Sequence, residues 1–178
     1  MTIAESIQSL GFITAFRESA LVYPIILSTH LACIAIFGGM ILMTDLRLLG
    51  IALTSQKVSE VVTRFRPWKR VGFCVMVFAG ALLGSAKATE YAPNPFFWVK
   101  MCLLGLVGVH ALAFRPTVYN NTEAIDRAPT LPRNARLAGA LSLIIWLGIL
   151  SMGRLIAYYE PPRSVQGNRA QINIARVF

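Results

Sequence analysis

Four long apolar stretches alternate with short polar connections along the chain. They are residues 21–43, 71–86, 96–114 and 137–159. A helix crosses the hydrocarbon core of a bilayer with about 20 mostly apolar residues. The pattern therefore predicts an all-α integral membrane protein, a four-helix bundle that runs up-down-up-down with short connections. The predicted spans are about 19–46, 69–89, 95–115 and 136–159.

Polar segments lie before the first span and after the last. Ile3, Ile7 and Leu10 share one face of a helix, which predicts a short N-terminal interfacial helix. Pro161 and Pro162 are expected to end the last helix, and a polar, basic segment follows. The predicted organisation is a single transmembrane domain over residues 1–160, followed by an extended polar tail over 161–178 that orders on a partner.

Two prolines mark predicted helix ends within this domain. Pro67, followed by Trp68, predicts the start of the second span after a polar loop over residues 54–70. Arg115 and Pro116 predict the end of the third span, with an irregular loop from there to Arg136.

The positive charge is concentrated in two of the three connections. The chain carries 17 Lys and Arg against 8 Asp and Glu, a net charge of +9. The cations that flank the first and third connections are Arg47, Lys57, Arg64, Arg66, Lys69, Arg70, Arg115, Arg127, Arg133 and Arg136. The positive-inside rule then predicts a multi-pass protein of the bacterial inner membrane with both termini in the periplasm. Cations placed in this way indicate topology and contact with anionic lipid rather than nucleic-acid binding.

Both histidines of the chain, His30 and His110, fall inside apolar runs. An ionisable side chain at such depth is costly and marks a functional site by default. Imidazole is also a common ligand of haem iron and of other metals. Because the two residues lie on helices that run in the same direction at overlapping predicted depths, we expect them to face each other and share one haem b. The alternative is that each histidine only hydrogen-bonds a neighbouring helix.

Two cations lie close to the ends of the spans. Lys100 precedes His110 by ten residues, and Arg154 interrupts the fourth apolar stretch. Haem propionates are anionic and need a basic partner, so Lys100 and Arg154 are candidate cofactor-binding residues. Long basic side chains that snorkel to the lipid headgroups would explain both equally well.

Two sequence segments carry a family resemblance. The first is Tyr23-Pro24-Ile25-Ile26-Leu27-Ser28-Thr29-His30, followed by Gly38-Gly39 and Asp45-Leu46-Arg47-Leu48; the second is Trp98-Val99-Lys100 with His110 ten residues later. They resemble the helices of the bacterial b-haem protoporphyrinogen oxidase family, whose outline copper-resistance membrane proteins share. The resemblance implies one b-type haem in a four-helix bundle, with ligands at His30 and His110. The first helix here lacks the tryptophan and the terminal histidine expected of the oxidase, which favours haem binding over porphyrinogen oxidation.

Four functions remain open on these residues. The first is a cytochrome b-like protein with a single haem that transfers electrons within a larger membrane redox complex, with other subunits and quinone as candidate partners. The second is a porphyrinogen-type oxidoreductase, and the third is a structural or assembly subunit without a cofactor. The fourth is copper transport, which soft ligands such as Cys33, Cys74 and Cys102 would suit. The sequence assigns no catalytic residue.

Overall fold

The computed structural model describes residues 1–160, which form helices joined by short connections. The helices are α1 (Ile3–Gln8), α2 (Gly11–Glu18), α3 (Val22–Leu49), α4 (Val58–Ala86), α5 (Ala88–Tyr91), α6 (Pro95–Phe114), α7 (Thr122–Arg127) and α8 (Arg133–Ile156). A π-helical turn, Arg115–Tyr119, continues α6. Four of these helices, α3, α4, α8 and α6 with its π-helical turn, are long and apolar enough to cross a membrane. The prediction of an all-α bundle with four spanning helices is confirmed.

The four long helices do not all pack against one another. Helix α3 packs on both α4 and α8, and α8 also packs on α6, whereas α4 and α6 hardly touch. Because successive long helices are antiparallel, the connections 50–57 and 120–132 lie together at one end, called the basic end here. Helices α1, α2 and α5 lie at the other end, called the opposite end.

Buried apolar side chains follow the bundle from one end to the other. At the basic end, Leu48, Val58 and Val118 are almost fully buried. Phe37 and Trp146 meet edge to face in the middle, with ring centroids 5.4 Å apart. The remaining large apolar side chains, such as Leu31, Phe78 and Ile144, point outward. A polypeptide with this distribution is a multi-pass membrane protein whose outer surface contacts lipid.

Specific residues end the long helices. Gly50 ends α3 in the left-handed conformation at φ 77°, where a side chain would be strained, and its N–H bonds back to the last turn. Asn94 starts α6: its side chain accepts a hydrogen bond from Phe96 N and donates another, 3.1 Å long, to the carbonyl of Ile156. Asn94 thereby fixes the start of α6 against the end of α8.

Helix α4 begins well before the predicted start of the second span. Most of the predicted loop over 54–70 is helical, and the helix runs through Pro67. Val58, Val61 and Val62 recur at helical spacing and are buried, and Val58 and Val62 pack with Val118 of the π-helical turn and Ile125 of α7. Their burial stabilises the helix and outweighs the hydrogen bond that Pro67 removes.

The predicted irregular loop after Arg115 also contains helical structure. The chain passes through Pro116 in the π-helical turn and then forms α7. Asp126 at the end of α7 accepts hydrogen bonds from Val58 N at 2.7 Å and Ser59 N at 3.1 Å. These two donors are otherwise unpaired at the start of α4, so Asp126 caps a helix that is distant in sequence.

The N-terminal segment forms two short helices instead of one. Helix α2 buries Ile13 and Phe16, and Phe16 packs on the ends of α3 and α4. Gln8 of α1 accepts two hydrogen bonds from Thr89. The predicted tail over residues 161–178 lies outside the described residues.

Candidate functional site

His30 lies on α3 and faces α4. A Cβ atom added to Gly80 would lie 3.1 Å from His30 Cε1, so the imidazole occupies space that a larger residue would take. The ring also lies beside the backbone of Met76. Its Nδ1 atom is buried and has no hydrogen-bond partner among the described residues. A partnerless imidazole nitrogen can act as a hydrogen-bond acceptor or as a metal ligand.

Lys100 on α6 lies near His30. It interacts electrostatically with that imidazole, and its Nζ atom would be 3.6 Å from a Cβ atom on Gly153 of α8. Within residues 1–160, Lys100 forms no ion pair. A Cβ atom on Gly84, one turn beyond Gly80 on α4, would meet no atom within 4 Å, so open space adjoins this part of the bundle. We call the group His30, Gly80, Lys100 and Gly153 the His30 region.

Arg154, the other predicted partner of a propionate, neighbours Gly153 but is exposed. Its guanidinium donates a hydrogen bond of 2.6 Å to the hydroxyl of Tyr158 and lies 4.9 Å from the centre of that ring. The structure therefore brings Arg154 to the depth of Lys100, with its charge on the outer surface of α8.

His110 occupies a different part of the bundle. Its Nε2 donates a hydrogen bond of 3.0 Å to the carbonyl of Ala138 on α8, and its ring packs on Phe114 and Tyr119. The next residue of α8, Gly139, contacts the backbone of Asp45, which places His110 level with Asp45. Asp45 lies 15 residues after His30, which is about 22 Å along a helix.

The two imidazoles therefore differ in depth by most of the thickness of the bundle. One iron atom would need both nitrogens within a few ångströms, so the expectation that His30 and His110 face each other and share one haem does not fit this arrangement. The offset arises because α3 starts further from the level shared by Asp45 and His110 than α6 does. Ligation by either histidine alone stays a prediction.

His110 instead belongs to a cavity of about 150 Å³ inside the basic half of the bundle, with one polar and one apolar wall. We call it the Asp45 cavity. Its polar wall is formed by Thr44, Asp45, Lys69, His110, Tyr119 and Ser142. Its apolar wall is formed by Ile41, Val107, Ala111 and Trp146. The lining residues come from all four long helices and the π-helical turn.

Asp45 and Lys69 are the charged residues of this cavity. Asp45 is only 2% exposed, and its Oδ2 atom has no hydrogen-bond partner among the described residues. Lys69 donates a hydrogen bond of 3.2 Å to Thr44 Oγ1. No ion pair joins Asp45 and Lys69 in the part of the chain that the structure describes. The acid and the base therefore line one cavity without direct contact.

The sequence did not reveal this cluster, because Asp45 was placed near a helix end and Lys69 in a loop. Gly139 explains the burial: a Cβ atom there would lie 2.8 Å from the Asp45 carbonyl oxygen, so α3 and α8 approach closely at this point. Asp45 is thereby enclosed one turn before α3 ends. The sequence signal for this close approach of helices was the pair of small residues Gly139 and Ala140 on α8.

The side-chain geometry shows no metal site in the described part of the chain. Among residues 1–160, no three His, Cys, Asp or Glu side chains come close enough to hold a metal ion. Cys33 is half-buried, while Cys74 and Cys102 are exposed on the outside of their helices. The soft ligands proposed for copper are thus dispersed over the described part of the bundle.

Comparison with known proteins adds the family of the chain. No curated protein and no solved structure matches it. A family profile matches residues 4–159, which include the four long helices, the His30 region and the Asp45 cavity. The chain therefore belongs to the family described as a family of unknown function, DUF6644.

Proposed function

We infer that this chain is a small b-type haem protein of the bacterial inner membrane that transfers single electrons within a larger redox complex. The observation that carries this proposal is the half-buried imidazole of His30, whose buried Nδ1 atom has no hydrogen-bond partner among the described residues. An ionisable group of this kind is costly in a bilayer and is retained when it has a function.

The His30 region offers two groups that a haem would use, an imidazole and a cation. His30 would ligate the iron through its free nitrogen, while the nearby backbone of Met76 orients the ring. Lys100 would neutralise a propionate, since its cation has no acidic partner among residues 1–160. Haem bound in this way supplies reversible one-electron chemistry. The protein's own contribution is to orient the ligand, exclude water and place a positive charge beside the cofactor.

His110 has a separate role in this proposal. It lines the Asp45 cavity, level with Asp45 and far along the bundle from His30. We therefore assign one histidine ligand to the haem rather than two. The porphyrinogen-type oxidoreductase remains the second redox candidate, because the family resemblance of the first and third spans includes His30 and Lys100.

Orientation and partners follow from charge and size. The basic end would face the cytoplasm by the positive-inside rule, with both termini in the periplasm. Hydrocarbon about 30 Å thick is too wide for one haem near the opposite end to serve both faces alone. Other subunits, and quinone dissolved in the bilayer, are the partners that would complete the electron path.

Haem binding is tested by the absorption spectrum of protein purified from cells supplied with haem. We expect a Soret band, about one haem b per chain by pyridine haemochrome, and loss of nearly all haem in His30→Ala. The matched control is His110→Ala, which removes the other imidazole and is expected to keep the haem. Lys100→Gln should keep the iron ligand but weaken haem retention.

The absence of a Soret band in the wild-type protein would contradict both redox candidates and favour the structural or assembly subunit. Copper bound at one equivalent per chain, with no haem, would favour copper transport. Equal haem loss in His30→Ala and His110→Ala would contradict the assignment of a single ligand.

A further inference from the structure

The Asp45 cavity has the features of a ligand site rather than of a packing defect. A buried carboxylate oxygen without a partner is costly, and native proteins normally satisfy such atoms. Asp45 Oδ2 lacks a partner among the described residues, and Lys69 reaches Thr44 instead of the carboxylate. The cavity therefore contains an acceptor, Asp45 Oδ2, and a cationic donor, the Lys69 ammonium, that do not contact each other and that a ligand could contact.

The size of the cavity limits its occupant. Its volume is about 150 Å³, and an apolar cavity of about 150 Å³ accepts one benzene ring. A single six-membered ring with polar substituents therefore fits, whereas a macrocycle does not. Trp146, which is almost fully buried, forms part of the apolar wall against which a flat ring can pack.

The surroundings of the cavity favour a ligand that is dissolved in the membrane. The cavity is only partly enclosed, and it lies between α3, α4, α6 and α8. Helices α4 and α6 hardly touch each other, so the side between them is the weakest part of the wall. A molecule that diffuses within the bilayer could enter there without crossing the polar loops of the basic end.

We propose that the Asp45 cavity binds the head-group ring of a membrane quinone. The carbonyl oxygens of the oxidised ring accept hydrogen bonds, and Lys69 and Tyr119 supply donors on the polar wall. The hydroxyl groups of the reduced ring donate, and Asp45 supplies an acceptor. Both redox forms thus find complementary groups, while the isoprenoid tail leaves between α4 and α6.

This inference rests on the proposed function, in which quinone is an electron-transfer partner, and it assigns the place where the quinone ring binds. With the ring level with Asp45 and the haem near His30, the two cofactors would occupy opposite halves of one bundle. Ring binding itself does not require the haem, so the two proposals can fail independently.

The test is photolabelling of the full-length purified protein with an azido-substituted short-chain benzoquinone, followed by peptide mapping. We expect saturable labelling in peptides that contain the lining residues, at positions 41–45, 69, 107–111, 119 or 142–146. Decylubiquinone should compete with the label, and stearic acid, an amphiphile without a quinone ring, should not. Labelling that maps elsewhere, or that stearic acid displaces equally well, would overturn the proposal.

A matched pair of variants measures the contribution of the polar wall. Tyr119→Phe removes one hydroxyl donor from the cavity. It should raise the azidoquinone concentration at which labelling is half-saturated about fivefold, the effect of one hydrogen bond. Tyr158→Phe removes a hydroxyl at the opposite end and should leave it unchanged. An unchanged half-saturation in Tyr119→Phe, with the thermal unfolding of both variants like wild type, would also overturn the proposal. His30→Ala should retain the labelling, which separates this result from a failure of haem binding.

Discussion

The two halves of the bundle bury different chemistry. In the His30 region, a single imidazole with a free nitrogen lies near a lysine and among small residues of α4 and α8. In the Asp45 cavity, an acid, a base and several hydrogen-bonding groups surround a space the size of one ring. The first arrangement offers a ligand to a metal, and the second offers donors and acceptors to a polar molecule. Two histidines in one membrane domain therefore need not serve one cofactor.

The largest stability effect is expected when one charge of the Asp45 cavity is removed. Asp45→Ala leaves the Lys69 ammonium inside the bundle without the opposite charge that interacts with it across the cavity, which should lower the free energy of unfolding by about 3 kcal/mol. Removing both charges, in Asp45→Ala/Lys69→Ala, should restore part of this loss. Denaturation by sodium dodecyl sulfate, followed by circular dichroism, measures the free energy of unfolding.

The matched control for this substitution is Glu18→Ala, which removes an exposed carboxylate whose ion pair with Arg17 is 3.3 Å long. Exposed pairs contribute about 0 to 1 kcal/mol, so little change is expected. If Asp45→Ala were no more destabilising than Glu18→Ala, the charges of Asp45 and Lys69 would not stabilise each other in the folded protein.

A smaller effect is expected from the helix contact that encloses Asp45. In Gly139→Ala the new Cβ atom would lie 2.8 Å from the Asp45 carbonyl oxygen, so α3 and α8 must separate. Overpacking of this kind costs about 1 to 3 kcal/mol. The change should weaken quinone labelling while the haem spectrum of the distant His30 region stays intact.

Gly38→Ala is the control for that contact, because an added Cβ atom there meets nothing within 4 Å. This variant should keep wild-type stability and both binding activities. A loss of haem in Gly139→Ala that is as large as its loss of quinone labelling would mean that the two halves are not independent.

The smallest effect concerns Asp126, outside the spans. Burial alone would raise the pKa of Asp126, but the hydrogen bonds from Ser59 and Val58 and the nearby Arg47 hold the pKa below its ordinary value. Asp126→Ala should lower the free energy of unfolding by about 1 kcal/mol, since a capping residue is lost.

The pH dependence of the Asp126 cap follows from its lowered pKa. The stabilisation is present above the unfolded value of about 4 and disappears as the pH falls through the lower folded pKa. Thermal unfolding of the wild type and of Asp126→Ala should therefore differ near neutral pH and converge in acid. A difference that persists unchanged at the lowest pH would show that the ionised carboxylate is not responsible.

The spanning helices could be predicted because an apolar run of sufficient length has few alternatives in a bilayer. Pro67 predicts a later start for α4 than the structure shows, because the helix runs through that proline. The helical spacing of Val58, Val61 and Val62 was the signal that identifies the earlier start. Val58 and Val62 pack on α7 and the π-helical turn. These partners are distant in sequence, so helical spacing alone does not predict them.

The candidate sites were predictable only in part, for a similar reason. The sequence gives the position of His30, Lys100 and His110 along their own helices, but not the shift of one helix relative to another. That shift places Lys100 near His30 and His110 beside Asp45. The close approach at Gly139 buries Asp45, although its position near a helix end suggested exposure.

The most direct test of the account is to count the histidine nitrogens that coordinate the haem iron. Pulsed electron paramagnetic resonance on the ferric protein, grown with isotope-labelled histidine, resolves the couplings of coordinated imidazole nitrogens. The account predicts one coordinated histidine in the wild type, still present in His110→Ala and lost in His30→Ala. Two coordinated histidines in the wild type, with one remaining in each variant, would contradict the separation of the two sites.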